Sequence, residues 1–153
     1  MTTNPTLAAP GDQNKKQNKK SFTRFIPTAA RLLLGLIFFF FGMNGFLNFL
    51  PPPKNMPEGA MAFFGAMMKT GYMLPLLAGT QVTVGALLLA NRFVPLALAL
   101  IAPVVVNIIP FHIFLAPEGM AVAVVDLALE IYLAWAYRKS FQSMLAMRAT
   151  PGA

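Results

Sequence analysis

The sequence predicts an all-α integral membrane protein, a four-helix bundle with a short amphipathic helix in the first outer loop. Three observations lead there. Hydrophobic residues make up 57% of the 153 and charged residues only 11%, and the mean hydropathy is +0.63, a balance outside the range of ordinary soluble domains. Four apolar stretches, Leu32–Leu50, Tyr72–Ala90, Phe93–Leu115 and Met120–Tyr137, come close to or exceed the roughly 20 residues that cross a hydrocarbon core. None of them carries the polar outer face that a helix of a soluble core would need. The length leaves room for one domain.

Residues 1–24 are rich in Asn, Gln, Lys, Thr and Pro, with little to bury, and predict a disordered basic tail. Lys15, Lys16, Lys19, Lys20 and Arg24 lie directly before the first span. They serve as a topology signal on a solvated tail, or draw the tail to anionic lipid at about 1 kcal/mol per basic residue. No aromatics interleave these lysines, so nucleic acid is not an expected partner. The first apolar run is longer than the roughly 7–15 residues of a signal-peptide core, and reads as a span. The transmembrane domain is expected over 25–140 and a short cytoplasmic C-terminal tail over 141–153. Arg31, Arg92, Arg138, Lys139 and Arg148 fall on the same side as the basic tail, against Lys54 and Lys69 on the other. The positive-inside rule then puts both termini in the cytoplasm.

The connections carry their own signals. Asn91-Arg92 makes a tight inner hairpin, and Ala116-Pro117-Glu118-Gly119 an outer one, with Pro and Glu suited to a first helical turn. Three prolines from Pro51 stop the first helix. In the loop that follows, Asn55 and Glu58 stand at capping-box spacing ahead of Ala60, Met61, Phe63, Phe64, Met67 and Met68. That pattern predicts a short helix in the outer interface, either a plain amphipathic connector or a methionine-rich lid over the bundle.

Chemistry points to the fourth span. Asp126 and Glu130 sit one helical turn apart inside an apolar run, where insertion scales charge about 2.5–3.5 kcal/mol for a central Asp. By helix rise, Asn44, Gln81, Asn107 and Asp126 fall roughly 9–13 Å below the outer surface, with Glu130 deeper and His112 and Asn48 shallower. Two readings compete: interhelical hydrogen bonds that fix packing register, or an outward-facing polar pocket for a small ligand, a quinone head group or protons in transit. Arg31 has the reach to pair with Glu130. Asp126 would then be protonated, bonded to His112, or awaiting a partner. Pro103 and Pro110 interrupt the third span, and Asn107 and His112, about 140° apart on an ideal helix, need a kink at Pro110 to share a cavity. Gly35, Gly42, Ala78, Gly85, Gly119 and Ala123 supply small residues for close helix approach.

The absence of cysteine excludes disulfide shuttling by the chain's own thiols. One histidine excludes bis-histidine haem ligation within one chain, and no metal-ligand spacing occurs.

The segment Ala102-Pro103-Val104-Val105-Val106-Asn107, with Phe111-His112 and Leu115, resembles the third helix of DoxX-like membrane proteins. Arg31, Gly35 and Gly42, the Gly85–Leu89 stretch, and Tyr132, Tyr137 and Arg138 are similar in order and spacing, so that the likeness runs from Arg31 to Met147. The resemblance implies a compact four-helix bundle in a bacterial inner membrane and an accessory role in a membrane redox complex. Relatives often carry an acid near Gln81, which is missing here. No redox cofactor is evident, so electron transfer would need a bound quinone or a partner protein. In that scheme Asp126 and Glu130 hold or relay protons, while Asn44, Gln81, Asn107 and His112 orient the ligand. A small proton- or cation-coupled transporter and a non-catalytic scaffold are the alternatives.

Overall fold

In a computed structural model the chain is described at residues 10–51, 55–142 and Met144, with side chains from Phe25 onward. The described residues are helical: α1 Pro10–Leu47, α2 Glu58–Lys69, α3 Met73–Leu89, α4 Val94–Phe114 and α5 Met120–Ala136, with 3-10 turns at Pro117–Gly119 and Arg138–Phe141. Expectations for residues 1–9, Lys54 and the C-terminal tail past Met144 lie outside the described residues.

α1 begins far upstream of the first apolar run. Residues 10–24, expected as disordered tail, continue the helix instead. Once a span supplies the nucleus, each added residue contributes a backbone hydrogen bond, and Lys and Gln are good helix formers. Hydropathy marks where α1 meets lipid, Phe25–Leu47, and not where the helix starts. That stretch, α4, and Pro117–Ala136 are each long and apolar enough to cross a membrane. α3, at 17 residues, falls short alone and qualifies only together with α2, from which it is bent by 94°. Between 22% and 33% of the three spans is buried in protein, which leaves residues such as Leu36, Leu100, Val106 and Ile131 for lipid.

The helices touch in a ring: α1 on α3, α3 on α4, α4 on α5 and α5 on α1. The α1–α3 contact is the tightest, because glycine lets one backbone lie on the other. A Cβ added at Gly42 would stand 2.7 Å from the Val82 amide nitrogen, and one at Gly85 would stand 2.7 Å from Phe39 Cα. Both obstacles are backbone and cannot swing aside. Below this seam Leu34, Phe38, Val84, Leu88, Leu98, Ile101 and Leu133 form a fully buried core.

The turns differ from expectation in one detail. α2 starts at Pro57 with no side-chain cap, so the Asn55–Glu58 capping box does not form. Proline holds Pro57 extended (φ −56°, ψ 148°), and its carbonyl already accepts the Met61 amide at 3.0 Å. α2 docks through Phe63 and Phe64, whose rings lie 5.6 and 5.4 Å from Phe111 of α4, while Met61 and Met68 are exposed. It therefore lies across the end of α4. At the opposite end Arg138 stacks 4.6 Å over Trp135 and donates to its carbonyl, an arrangement suited to a membrane–water boundary.

Gly85→Ala is expected to lower the unfolding temperature in mild detergent, by the equivalent of about 1–3 kcal/mol. Gly65→Ala, where an added Cβ meets nothing within 4 Å, is the matched control and is expected to melt no lower than the parent. Equal melting of the two variants would contradict the close α1–α3 approach.

Candidate functional site

α5 turns one stripe inward. Gly119, Ala123, Asp126, Glu130 and Leu133 follow one another at steps of four and three, which keeps them on one face of the helix. Ala123 and Leu133 are buried, and so are the two acids between them, with Asp126 4% and Glu130 7% exposed. Oδ1 of Asp126 and Oε2 of Glu130 are buried without a hydrogen-bond partner. A buried polar atom left unpaired costs on the order of 1–3 kcal/mol, so two on adjacent turns are a marked local expense.

Arg31 does not answer them. Its Nη1 donates to the Leu88 carbonyl and, at 3.4 Å, to that of Leu89. The expected Arg31–Glu130 pair is replaced by a cross-helix cap. α3 ends at Leu89, where the Leu88 carbonyl accepts the Asn91 amide at 3.2 Å and keeps a second lone pair, and the negative end of the helix dipole attracts a cation. Gly35 brings α1 to this terminus, since a Cβ there would lie 3.0 Å from Leu88 Cβ and 3.2 Å from the Leu89 amide nitrogen. A guanidinium one turn away finds the carbonyls before it finds Glu130.

His112, near the end of α4, is held by backbone too. Nδ1 lies 2.7 Å from the Ala116 carbonyl and donates to it, which leaves Nε2 as the free ring nitrogen. The imidazole occupies the space where a Cβ of Gly119 would be, so the ring rests on the top of the α5 stripe.

The remaining polar residues go elsewhere. Asn44 Oδ1 accepts the Leu50 amide at 2.8 Å, and Asn48 is the left-handed residue (φ 48°) that ends α1. Both are helix-stop devices. Gln81 is half-buried on α3 against Gly42. Asn107 is exposed and lines a shallow apolar cavity of about 260 Å³ with Phe63, Pro110, Phe111, Phe114 and Leu115. α4 runs unbroken through Pro110, so Asn107 and His112 stay on different faces and do not share that cavity. The polar layer expected from depth alone is thus divided among several tasks. Asp126, Glu130 and His112 remain as the group that one face brings together.

Two features escaped the sequence reading. Gly119 stood out only as a small residue for helix approach, whereas it is the pad beneath His112. The packing of Phe63 and Phe64 on Phe111 gave no signal, because the partners come from two separate helices.

Arg31→Met is expected to lose about 1.5–3 kcal/mol of stability, the range for a hydrogen bond to a charged donor. Arg31→Lys should recover only part, since an ammonium lacks the planar fork. Unfolding in detergent measures both, and a Met variant as stable as the parent would contradict the cap. Gly119→Ala should displace the imidazole and shift the His112 ring proton resonances, whereas Gly65→Ala should not.

No family model, no curated protein and no solved structure matches this chain.

Proposed function

We propose that the chain is a DoxX-like integral membrane protein, a four-helix transmembrane bundle acting as an accessory subunit of a membrane redox complex. In this reading Asp126 and Glu130 receive the polar head of a quinone or similarly lipid-like molecule. The observation that carries it is the pair of unpartnered carboxyl oxygens on the inward stripe of α5. A carboxylate accepts hydrogen bonds from hydroxyl groups, and a protonated carboxyl donates to a carbonyl, so the pair suits either form of a quinone head. His112 supplies a third polar group at the top of the same face. Asn44 and Asn48 are spent on ending α1, so the ligand-orienting role narrows to Asp126, Glu130 and His112, with Gln81 the other half-buried amide.

The bundle reading draws on the ring of contacts through α1, α3, α4 and α5 and on the glycine seam. The distribution of basic residues supports both termini cytoplasmic and α2 on the outer side, the DoxX likeness supports a bacterial inner membrane, and the N-terminal lysines support contact with anionic lipid. A second reading, a small proton- or cation-coupled transporter, draws on the absence of any described cation paired with the acids.

Purification of the parent in native lipid, followed by extraction and quinone and lipid analysis, tests the first reading. The parent is expected to retain a bound quinone or lipid-like molecule, and the Asp126→Asn/Glu130→Gln double variant about tenfold less, equivalent to about 1.4 kcal/mol. Equal retention would remove the acids from the binding site. Uptake driven by a pH gradient in proteoliposomes, abolished by the same double variant, would favour the transporter.

A further inference from the structure

We propose that His112 is the proton-entry group for Asp126 and Glu130, so that both acids exchange protons with the α2 side of the membrane alone. The inference rests on the reading that these acids are functional, and adds the route and its sidedness.

The route follows the α5 stripe. The imidazole sits on Gly119, half-buried and within reach of the α2-side surface. Two helical turns below, about 10 Å along the axis, comes Asp126, and one turn further Glu130. Only Ala123 intervenes on this face. The hydrogen bond from Nδ1 to the Ala116 carbonyl fixes the ring and commits that nitrogen. Nε2 is then the ring nitrogen left with a lone pair to accept a proton. The unpartnered Oδ1 of Asp126 and Oε2 of Glu130 are the acceptors in sequence.

The other side is closed. Beyond Glu130 the stripe continues with Leu133, fully buried, and the facing elements present Leu34, Leu88 and Leu98, at most 1% exposed. Tyr137, half-buried one turn beyond and packed on the same core, is the next titratable side chain, and the fully buried Leu133 stands between it and Glu130. From Phe25 to Leu47, α1 contributes Arg31 alone, and it is committed to the Leu88 and Leu89 carbonyls. α3 has no titratable side chain, α4 has His112 only, and α5 adds Tyr132 to the two acids. On the α2 side, Glu118 in the 3-10 turn and Glu58 and Lys69 on α2 are all exposed. His112 is therefore the titratable group placed between the α2-side surface and the buried carboxyls.

The test uses full-length protein in uniformly oriented proteoliposomes. Orientation is read by Gly65→Cys and an impermeant maleimide, since the chain has no cysteine of its own and a Cβ at this position meets nothing. Protons are released by flash photolysis of a caged acid confined to one face, and the carboxyl stretching band is followed in the infrared. Asp126→Asn and Glu130→Gln assign the band. Release on the α2 side is expected to raise it at least ten times faster than release on the Arg92 side. His112→Gln, which keeps a donor for the Ala116 carbonyl but cannot carry a proton, should slow the α2-side response about tenfold. Glu118→Gln should leave it unchanged. Equal rates from both faces, or a His112→Gln variant as fast as the parent, overturn the one-sided route while leaving ligand retention by the acids intact. No band change from either face overturns the route as well, and the retention measurement then decides independently whether the acids bind a ligand.

Discussion

A polar group in a hydrocarbon core finds its partner within the protein or goes without, because no water is at hand to replace one. Among the described residues the helices bury or half-bury four charged or readily charged side chains: Arg31, His112, Asp126 and Glu130. Backbone carbonyls serve the first two, from Leu88 and Leu89 and from Ala116. The last two keep an unpartnered oxygen each. This asymmetry has a simple origin. Helix ends leave carbonyls unused, and a donor side chain can take them. Helix interiors leave no N–H unused, so an acid there cannot borrow from the backbone. Cations near helix ends are readily satisfied, while acids in mid-helix depend on other side chains, water or a ligand.

The cap on α3 in turn depends on how near α1 comes to it. Gly42 and Gly85 bring the two backbones to a distance that any larger residue forbids, and at Gly35 the fit is nearly as tight. Without that approach a guanidinium on α1 would hang between helices, and Glu130 would be its nearest relief. The glycine seam thus settles an electrostatic question several residues away: it gives Arg31 to the end of α3 and leaves α5 uncompensated. Close packing on one side of the ring is what keeps the acids open on the other.

Much of this was legible in the sequence, but unevenly. Hydropathy located three of the four expected spans because lipid contact is a property of composition, the stretch at α3 qualifying only together with α2, and the α2 helix followed from its periodic Ala, Met and Phe. The inward stripe of α5 could be read because the acids share a helical face with Ala123 and Leu133. The upstream start of α1 could not, since lysine and glutamine adopt a helix without any apolar signature. Depth counting placed Asn44 and Asn107 at one level but carried no azimuth, so a helix cap and an exposed amide on another face looked like members of one pocket. The destination of Arg31 was hidden for a different reason. Sequence displays side-chain partners, whereas its partners are main-chain carbonyls that become acceptors only once α3 ends at Leu89.

The acids on α5 stand one turn apart, where Cβ atoms are about 5–6 Å from each other. Two charges at that separation in a medium of low dielectric repel strongly, and no described cation offsets them. Holding both ionised at once is therefore the least favourable arrangement, and a single proton or a single hydrogen-bond donor relieves most of the cost. A structural pair would have been better served by Asn and Gln, which donate and accept without carrying charge. What carboxyls add is the capacity to change state when a donor arrives. On the proposed route they lie on the face that His112 overlies, with Leu133, Leu34 and Leu88 buried at the other end, so that the donor arrives from the α2 side.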